Sequence, residues 1–212
     1  MEDASSEPRA TELGRVEAFS DGVIAIIITI MVLELKVPEH VGFAALFELW
    51  PIFSAYVLSF AYVAIYWVNH HRLFTLARRA SNGLLWSNMA LLFALSLTPF
   101  AAAYLGEHHF EPFSVGVYLF ALCLPAFAYL VMQLVIERQG RPTPQAARYL
   151  AATRRKGIVS CGIYAVGVAL SLLAPSLALL AATIVALLWM LPDTPVDKLF
   201  GIETLNGHRE RE

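Results

Sequence analysis

The chain is 212 residues long, 58% hydrophobic and 15% charged, with a formal net charge of −2 and a mean hydropathy of +0.62. That composition excludes an ordinary soluble domain and a basic nucleic-acid-binding surface, and it points to an all-α, polytopic membrane protein. Cys123 and Cys161 both lie in apolar stretches and offer neither a zinc spacing nor a disulfide framework.

Residues 1–14 form a polar arm without the basic start and small-residue cleavage site of a signal peptide, so the first apolar stretch is expected to stay. Six such stretches follow, at about 16–36, 49–69, 84–105, 113–136, 157–174 and 176–191, each ended by charges, Pro or Gly. A polar tail over 192–212 closes the chain. If all six span a bilayer, fourteen of the fifteen basic residues fall on one side and Lys36 alone on the other. The positive-inside rule then places both termini in the cytoplasm. The opposite loops carry Glu34, Glu39, Glu48, Glu107 and Glu111. An acidic outer face concentrates cations, although solvated loops are often charged for no such reason.

The first stretch carries the most information. Arg15-Val16-Glu17-Ala18-Phe19-Ser20-Asp21 leads directly into the apolar run Gly22 to Leu33. Those 12 apolar residues reach only about 18 Å as a helix, short of a core of roughly 30 Å, so Phe19-Ser20-Asp21 or Glu34-Leu35 must enter the membrane too. A carboxylate at that depth needs a partner or a task. Further along, Ile26, Thr29, Ile30 and Leu33 share one stripe within about 100° of helix surface. Copies of that stripe from several chains would meet in aliphatic rings with one ring of hydroxyls. Ordinary packing or lipid-facing surface is the alternative, and periodicity cannot decide because every face of this helix is apolar.

The second stretch ends in Asn69-His70-His71-Arg72 and the third begins with Trp86-Ser87-Asn88, at the same expected depth as Arg15, Ser20 and Asp21. His70, Asn88, the Trp86 indole and Arg15 are therefore expected donors to Asp21, fastening the first helix to the second and third. His71 and Arg72 are read as interfacial residues at headgroup level. Pro99 in the third stretch and Pro125 in the fourth are expected to kink their helices. The connection 137–156 reads as the longest cytoplasmic loop, with a surface helix over 145–156 whose arginines face lipid headgroups. Pro175-Ser176 marks a tight hairpin between the last two stretches.

No internal repeat is evident, so a pore on a symmetry axis has to be built from several chains. Enzyme signatures are missing: there is no Gly-x-Ser-x-Gly elbow, His-Glu-x-x-His or phosphate-binding Gly-rich loop. The chain is read as no enzyme, with no cofactor and no metal centre, since adjacent histidines on a helix diverge by about 100°. The potassium-filter sequence Thr-Val-Gly-Tyr-Gly is absent too, which rules out a carbonyl filter of that kind.

Arg15-x-x-x-Phe19-Ser20-Asp21, Trp67-x-x-His70-His71-Arg72-x-Phe74, Leu85-Trp86-x-Asn88 and Leu97-x-Pro99-Phe100, in this order and spacing, resemble the signature of the transmembrane protein 175 family, in its short bacterial branch. The resemblance implies a potassium-permeable channel of four six-span chains in the bacterial plasma membrane, with the first span of each lining a central pore. It implies that Ile26 forms a hydrophobic constriction, that Ile30 and Leu33 form further narrowings, and that Thr29 bears on selectivity for potassium over sodium. The polar motif, Arg15, Phe19, Ser20 and Asp21 with His70, Trp86 and Asn88, would hold the pore helices together. Membrane lipid, potassium ions and three further copies of the chain are the implied partners. Two rivals remain at this point: a proton-coupled transporter using Asp21 and His70 as a relay, and a non-conducting membrane scaffold.

Overall fold

The computed structural model describes residues 7–190, and side chains from Glu12 onward. The expected tail over 192–212, with Lys198, Arg209 and Arg211, lies outside the described residues. The fold is all-helical: α1 (Glu7–Ile30) with a 3-10 turn over Met31–Glu34, a short α2 (Phe43–Glu48), α3 (Trp50–Phe74), α4 (Asn82–Ser96), α5 (Thr98–Glu107), α6 (Pro112–Glu137), α7 (Pro144–Ser171) and α8 (Pro175–Met190). Among the described residues, four segments are long and apolar enough to cross a membrane: Glu12–Glu34, Trp50–Phe74, Asn82–Glu107 and Pro112–Glu137. These correspond to the first four expected spans, and the chain is a multi-pass membrane protein.

The third span is two helices rather than one bent helix. Pro99 has no N–H to return to the Leu95 carbonyl, so the ladder is interrupted. Leu97 instead bonds the Ala94 carbonyl in a tighter turn at 3.3 Å, and α5 restarts with Ala101 N–H on the Leu97 carbonyl at 3.1 Å. Pro125 behaves differently, because α6 runs through it without a break. The neighbouring helices determine which proline interrupts a span and which is absorbed.

Helix α6 is the central post, packed against α4, α5, α7 and α8. On one side of it Ile24, Ile27, Leu91, Leu95 and Met132 form a core shared by α1, α4 and α6. On the other Tyr62, Leu105, Tyr118, Leu122, Tyr164 and Ala182 form a second core from α3, α5, α6, α7 and α8. Close approach is enforced at the N-terminal end of α3, where a Cβ on Gly106 would lie 2.6 Å from the Ile52 Cα. Only glycine fits there.

The connection expected over 137–156 is shorter than anticipated. After α6 ends at Glu137 only residues 138–143 are non-helical, and the expected surface helix is the first half of α7 itself, continuous with the fifth apolar stretch. Thr143 caps it, its hydroxyl accepting from Ala146 N–H at 3.2 Å, with Pro144 at the first position. Gln139 fastens this link to the one between α3 and α4, its carbonyl oxygen accepting from the Arg78 and Arg79 amides at 2.9 and 3.1 Å.

Candidate functional site

Helix α1 has two unlike faces. Ser20, Ile24, Ile27 and Met31 follow the 0, 4, 7, 11 spacing of a packing seam, and all four are buried against α3 and α4. The opposite side holds Phe19, Gly22, Ile26, Thr29, Ile30 and Leu33, all exposed in the single chain. Ile26 is 60% and Leu33 76% exposed. The stripe expected from helix geometry is therefore the surface that α1 leaves uncovered. At its middle, Thr29 shares its hydroxyl proton between the Ala25 and Ile26 carbonyls, both at 3.0 Å. With the proton spent on its own backbone, the oxygen turns lone pairs outward, which is what a cation needs from a hydroxyl.

The seam is locked at its N-terminal end by a string of hydrogen bonds. His70 Nε2 lies 2.8 Å from Asn88 Oδ1, Asn88 Nδ2 donates to Ser20 Oγ at 2.9 Å, and Ser20 Oγ donates to the Val16 carbonyl at 2.8 Å. Asn88 offers His70 its oxygen, so the ring must carry its proton on Nε2. The other ring nitrogen, Nδ1, is buried without a partner among the described residues. The imidazole also stacks on Phe74 with centroids 4.3 Å apart. Three helices are thereby joined through side chains that are nearly inaccessible, with Ser20 and His70 at 0% and Asn88 at 1% exposure. In lipid, apolar surfaces gain little from leaving one set of hydrocarbon for another, so such polar ties and close packing carry helix association.

Asp21 is served differently from expectation. Its carboxylate accepts from the Trp67 indole N–H at 2.9 Å, while His70 goes to Asn88 and Asn88 to Ser20. Trp86 has no part in the network, and its ring is 76% exposed. Arg15 is exposed, and among the described residues it makes no ion pair with Asp21. It lines an open groove between α1 and α4 with Glu12, Val16, Phe19, Leu85 and Met89. His71 is not simply a headgroup residue, since its Nδ1 lies 2.7 Å from Glu17 Oε1. Trp67, His70, His71 and Phe74 stand at 0, 3, 4 and 7 on α3, so a helical reading of that segment puts all four on one face. That spacing was the available signal for Trp67 and for the Glu17 pair.

The C-terminal end of α1 has fewer polar ties. The helix tightens into the 3-10 turn, Leu35 N–H bonds the Val32 carbonyl at 3.1 Å, and Lys36 pairs with Glu107 at the end of α5. Hydrogen bonding to that carboxylate, and then its charge, raise the Lys36 pKa above the ordinary lysine value.

Comparison with known proteins bears on this arrangement. The family described as endosomal/lysosomal potassium channel TMEM175 matches residues 15–99, the stretch holding α1, the anchor and the break in the third span. A Chryseobacterium sp. (strain P1-3) protein named as a potassium channel is 43% identical over 185 residues, covering 87% of this chain and 96% of that one. The chain belongs to the TMEM175 family. A crystal structure described as a lysosomal potassium-selective channel TMEM175 homolog, from Chamaesiphon minutus, superposes with a TM-score of 0.67 at 34% identity, covering 84% of this chain and 96% of that one. The TMEM175 likeness thus extends past residue 99 into α6 and beyond. A longer Bos taurus relative, named as an endosomal/lysosomal proton channel, is 43% identical over 103 residues, which are 43% of this chain and 20% of that protein.

Proposed function

We propose that this protein is a potassium-selective channel that conducts passively, built from four copies with α1 of each around a central axis. The observation that carries the reading is the uncovered stripe of Ile26, Thr29, Ile30 and Leu33 on a helix whose other face is pinned at depth. An apolar stripe carrying one outward-facing hydroxyl oxygen suits a narrow path with hydrophobic constrictions, which gate by excluding water. Ile26 forms the innermost constriction, Ile30 and Leu33 the outer ones, and Thr29 contacts a partly dehydrated ion. The family relatives named as potassium channels support the choice of ion. Arg15, Phe19, Ser20, Asp21, His70 and Asn88 serve assembly and helix placement, with Phe19 and Arg15 facing the neighbouring copy across the α1/α4 groove.

In this reading α7 and α8 complete six spans, both termini are cytoplasmic and the assembly sits in the bacterial plasma membrane. The basic residues then collect at the cytoplasmic ends, in keeping with the positive-inside rule. No cofactor is required. A proton-coupled relay through Asp21 and His70 has less support, because the two residues bond to separate partners, Trp67 and Asn88.

Potassium flux into liposomes tests the proposal. Ile26→Ala widens the first constriction and raises flux, and Ile26→Asn hydrates it and raises flux further. Unchanged potassium flux in both variants would remove the stripe from the conduction path. Reversal potentials under opposed potassium and sodium gradients test Thr29, with Thr29→Val lowering the preference for potassium.

A further inference from the structure

Helix α7 is 28 residues long, about 42 Å at 1.5 Å per residue, and so exceeds a hydrocarbon core of about 30 Å. Its first half carries four basic residues, Arg148, Arg154, Arg155 and Lys156. Two of them are used by the protein itself. Arg154 Nη1 donates to Glu137 Oε2 at 2.6 Å, and Lys156 Nζ donates to the Leu188 carbonyl at 2.6 Å while lying over the Trp189 ring at 4.8 Å.

Arg148 and Arg155 are placed otherwise. Seven residues apart, they fall on the same face of the helix, about 160° from the buried line of Leu150, Gly157 and Tyr164. Both are exposed, and neither has an acidic partner among the described residues. One turn further along the same face the surface becomes bare hydrocarbon, with Val159 46% and Val166 66% exposed. Counting about 20 residues back from Ser171 puts the inner edge of the core between Arg148 and Arg155. Arg155 therefore has an apolar stem in lipid and a guanidinium that must reach a headgroup. Arg138 and Arg141, both exposed, stand on the link below, where Arg78 donates to the Arg141 carbonyl. A Cβ on Gly140 would lie 2.5 Å from the Arg78 guanidinium, so the Arg78 head sits close over the backbone of this link.

We infer that the Arg148 and Arg155 face of α7 is a binding site for the phosphate of an anionic phospholipid, whose acyl chains lie along Val159 and Val166. The inference rests on the reading that α7 spans the bilayer. Guanidinium forks match phosphate oxygens in pairs, and the step from charge to hydrocarbon within one turn matches a lipid rather than a free anion.

The experiment is native mass spectrometry of the whole protein after exchange into vesicles of phosphatidylglycerol and phosphatidylcholine, scoring lipid retained per chain. Wild type should retain phosphatidylglycerol in preference. R148Q/R155Q should weaken that retention about twenty-five-fold, each arginine near an anionic surface contributing about fivefold, and R148K/R155K should restore only part of it, since lysine keeps the charge but not the fork. Equal loss with Arg79→Gln, an exposed arginine on a different link, would mean general charge attraction and overturn the site. Displacement by millimolar inorganic phosphate would make it a free-anion site and overturn the lipid assignment. If the double variant does not fold, wild-type preference decides: no excess of phosphatidylglycerol over phosphatidylcholine overturns the inference. None of these readouts uses ion flux, so a failure here is distinct from a failure of the channel reading.

Discussion

The two ends of α1 are held in unlike ways. At the base, near its N-terminal half, Ser20, Asp21 and Glu17 reach Asn88, Trp67 and His71 on two neighbouring helices, and the central members of that set are fully buried. At the other end there is a 3-10 turn and one exposed ion pair, Lys36 with Glu107. The difference teaches where motion is available: the polar ties of α1 are concentrated at its base, so a tilt pivots there and draws the buried Met31 from its apolar seat at the tip. Ile26 lies nearer the pivot and moves less than Leu33, so in the proposed pore a tilt changes the Ile30 and Leu33 rings first.

Three substitutions put that contrast at risk, in order of size. Asn88→Ala should cost about 1 to 3 kcal/mol, because it strands the buried His70 Nε2–H and takes a donor from Ser20 Oγ, whose own proton stays on the Val16 carbonyl. Thermal unfolding in detergent, followed by intrinsic fluorescence, measures it; a change below about 1 kcal/mol would mean the base is not the fixed end. Asp21→Ala should cost about 1 kcal/mol, since the Trp67 indole is half exposed and finds other partners. It should lower assembly yield on size-exclusion chromatography while the potassium-to-sodium permeability ratio of the surviving channels stays unchanged. An intact assembly with a shifted ratio would place Asp21 in ion selection.

Lys36→Met should have the smallest effect, with no resolvable change in midpoint, because an exposed pair is screened by solvent. Its pH dependence has a definite sign. A lysine whose pKa is raised in the folded chain contributes fully below its unfolded value, and loses that contribution as pH climbs through the higher folded value. The pair is therefore constant across the neutral range and weakens only above about pH 10.5. A midpoint that moved with Lys36→Met at pH 7 would show the C-terminal end to be more firmly held than its geometry implies.

Much of this was legible in the sequence. The first four spans, the helical class and the meeting of residues 15–21 with 70 and 88 followed from hydropathy and equal depth. Pairing within that cluster was not legible, because depth says which residues are level and not which way each side chain points. Trp67 is one turn before His70 and was available by spacing, yet it was displaced by Trp86, which shares the depth but faces outward. The stripe on α1 was visible as geometry, but an all-apolar helix has no moment to mark its buried side. What separated the faces was a single buried polar residue, Ser20, whose 0, 4, 7 continuation through Ile24 and Ile27 is the seam. The two prolines illustrate a further limit, since identical local chemistry broke one span and left the other whole.

The string from His70 through Asn88 and Ser20 to the Val16 carbonyl runs in one direction only, and this restricts which letters position 88 accepts. The residue there must take a proton from an imidazole on one side and give one to a hydroxyl on the other. Aspartate has the shape but nothing to give, leucine has the volume but neither function, and glutamine has both functions on a stem one carbon too long. The α1–α3–α4 junction thus behaves as a lock with a single-residue key, and a sequence drifting at 88 would have to rewrite positions 20 and 70 in the same step.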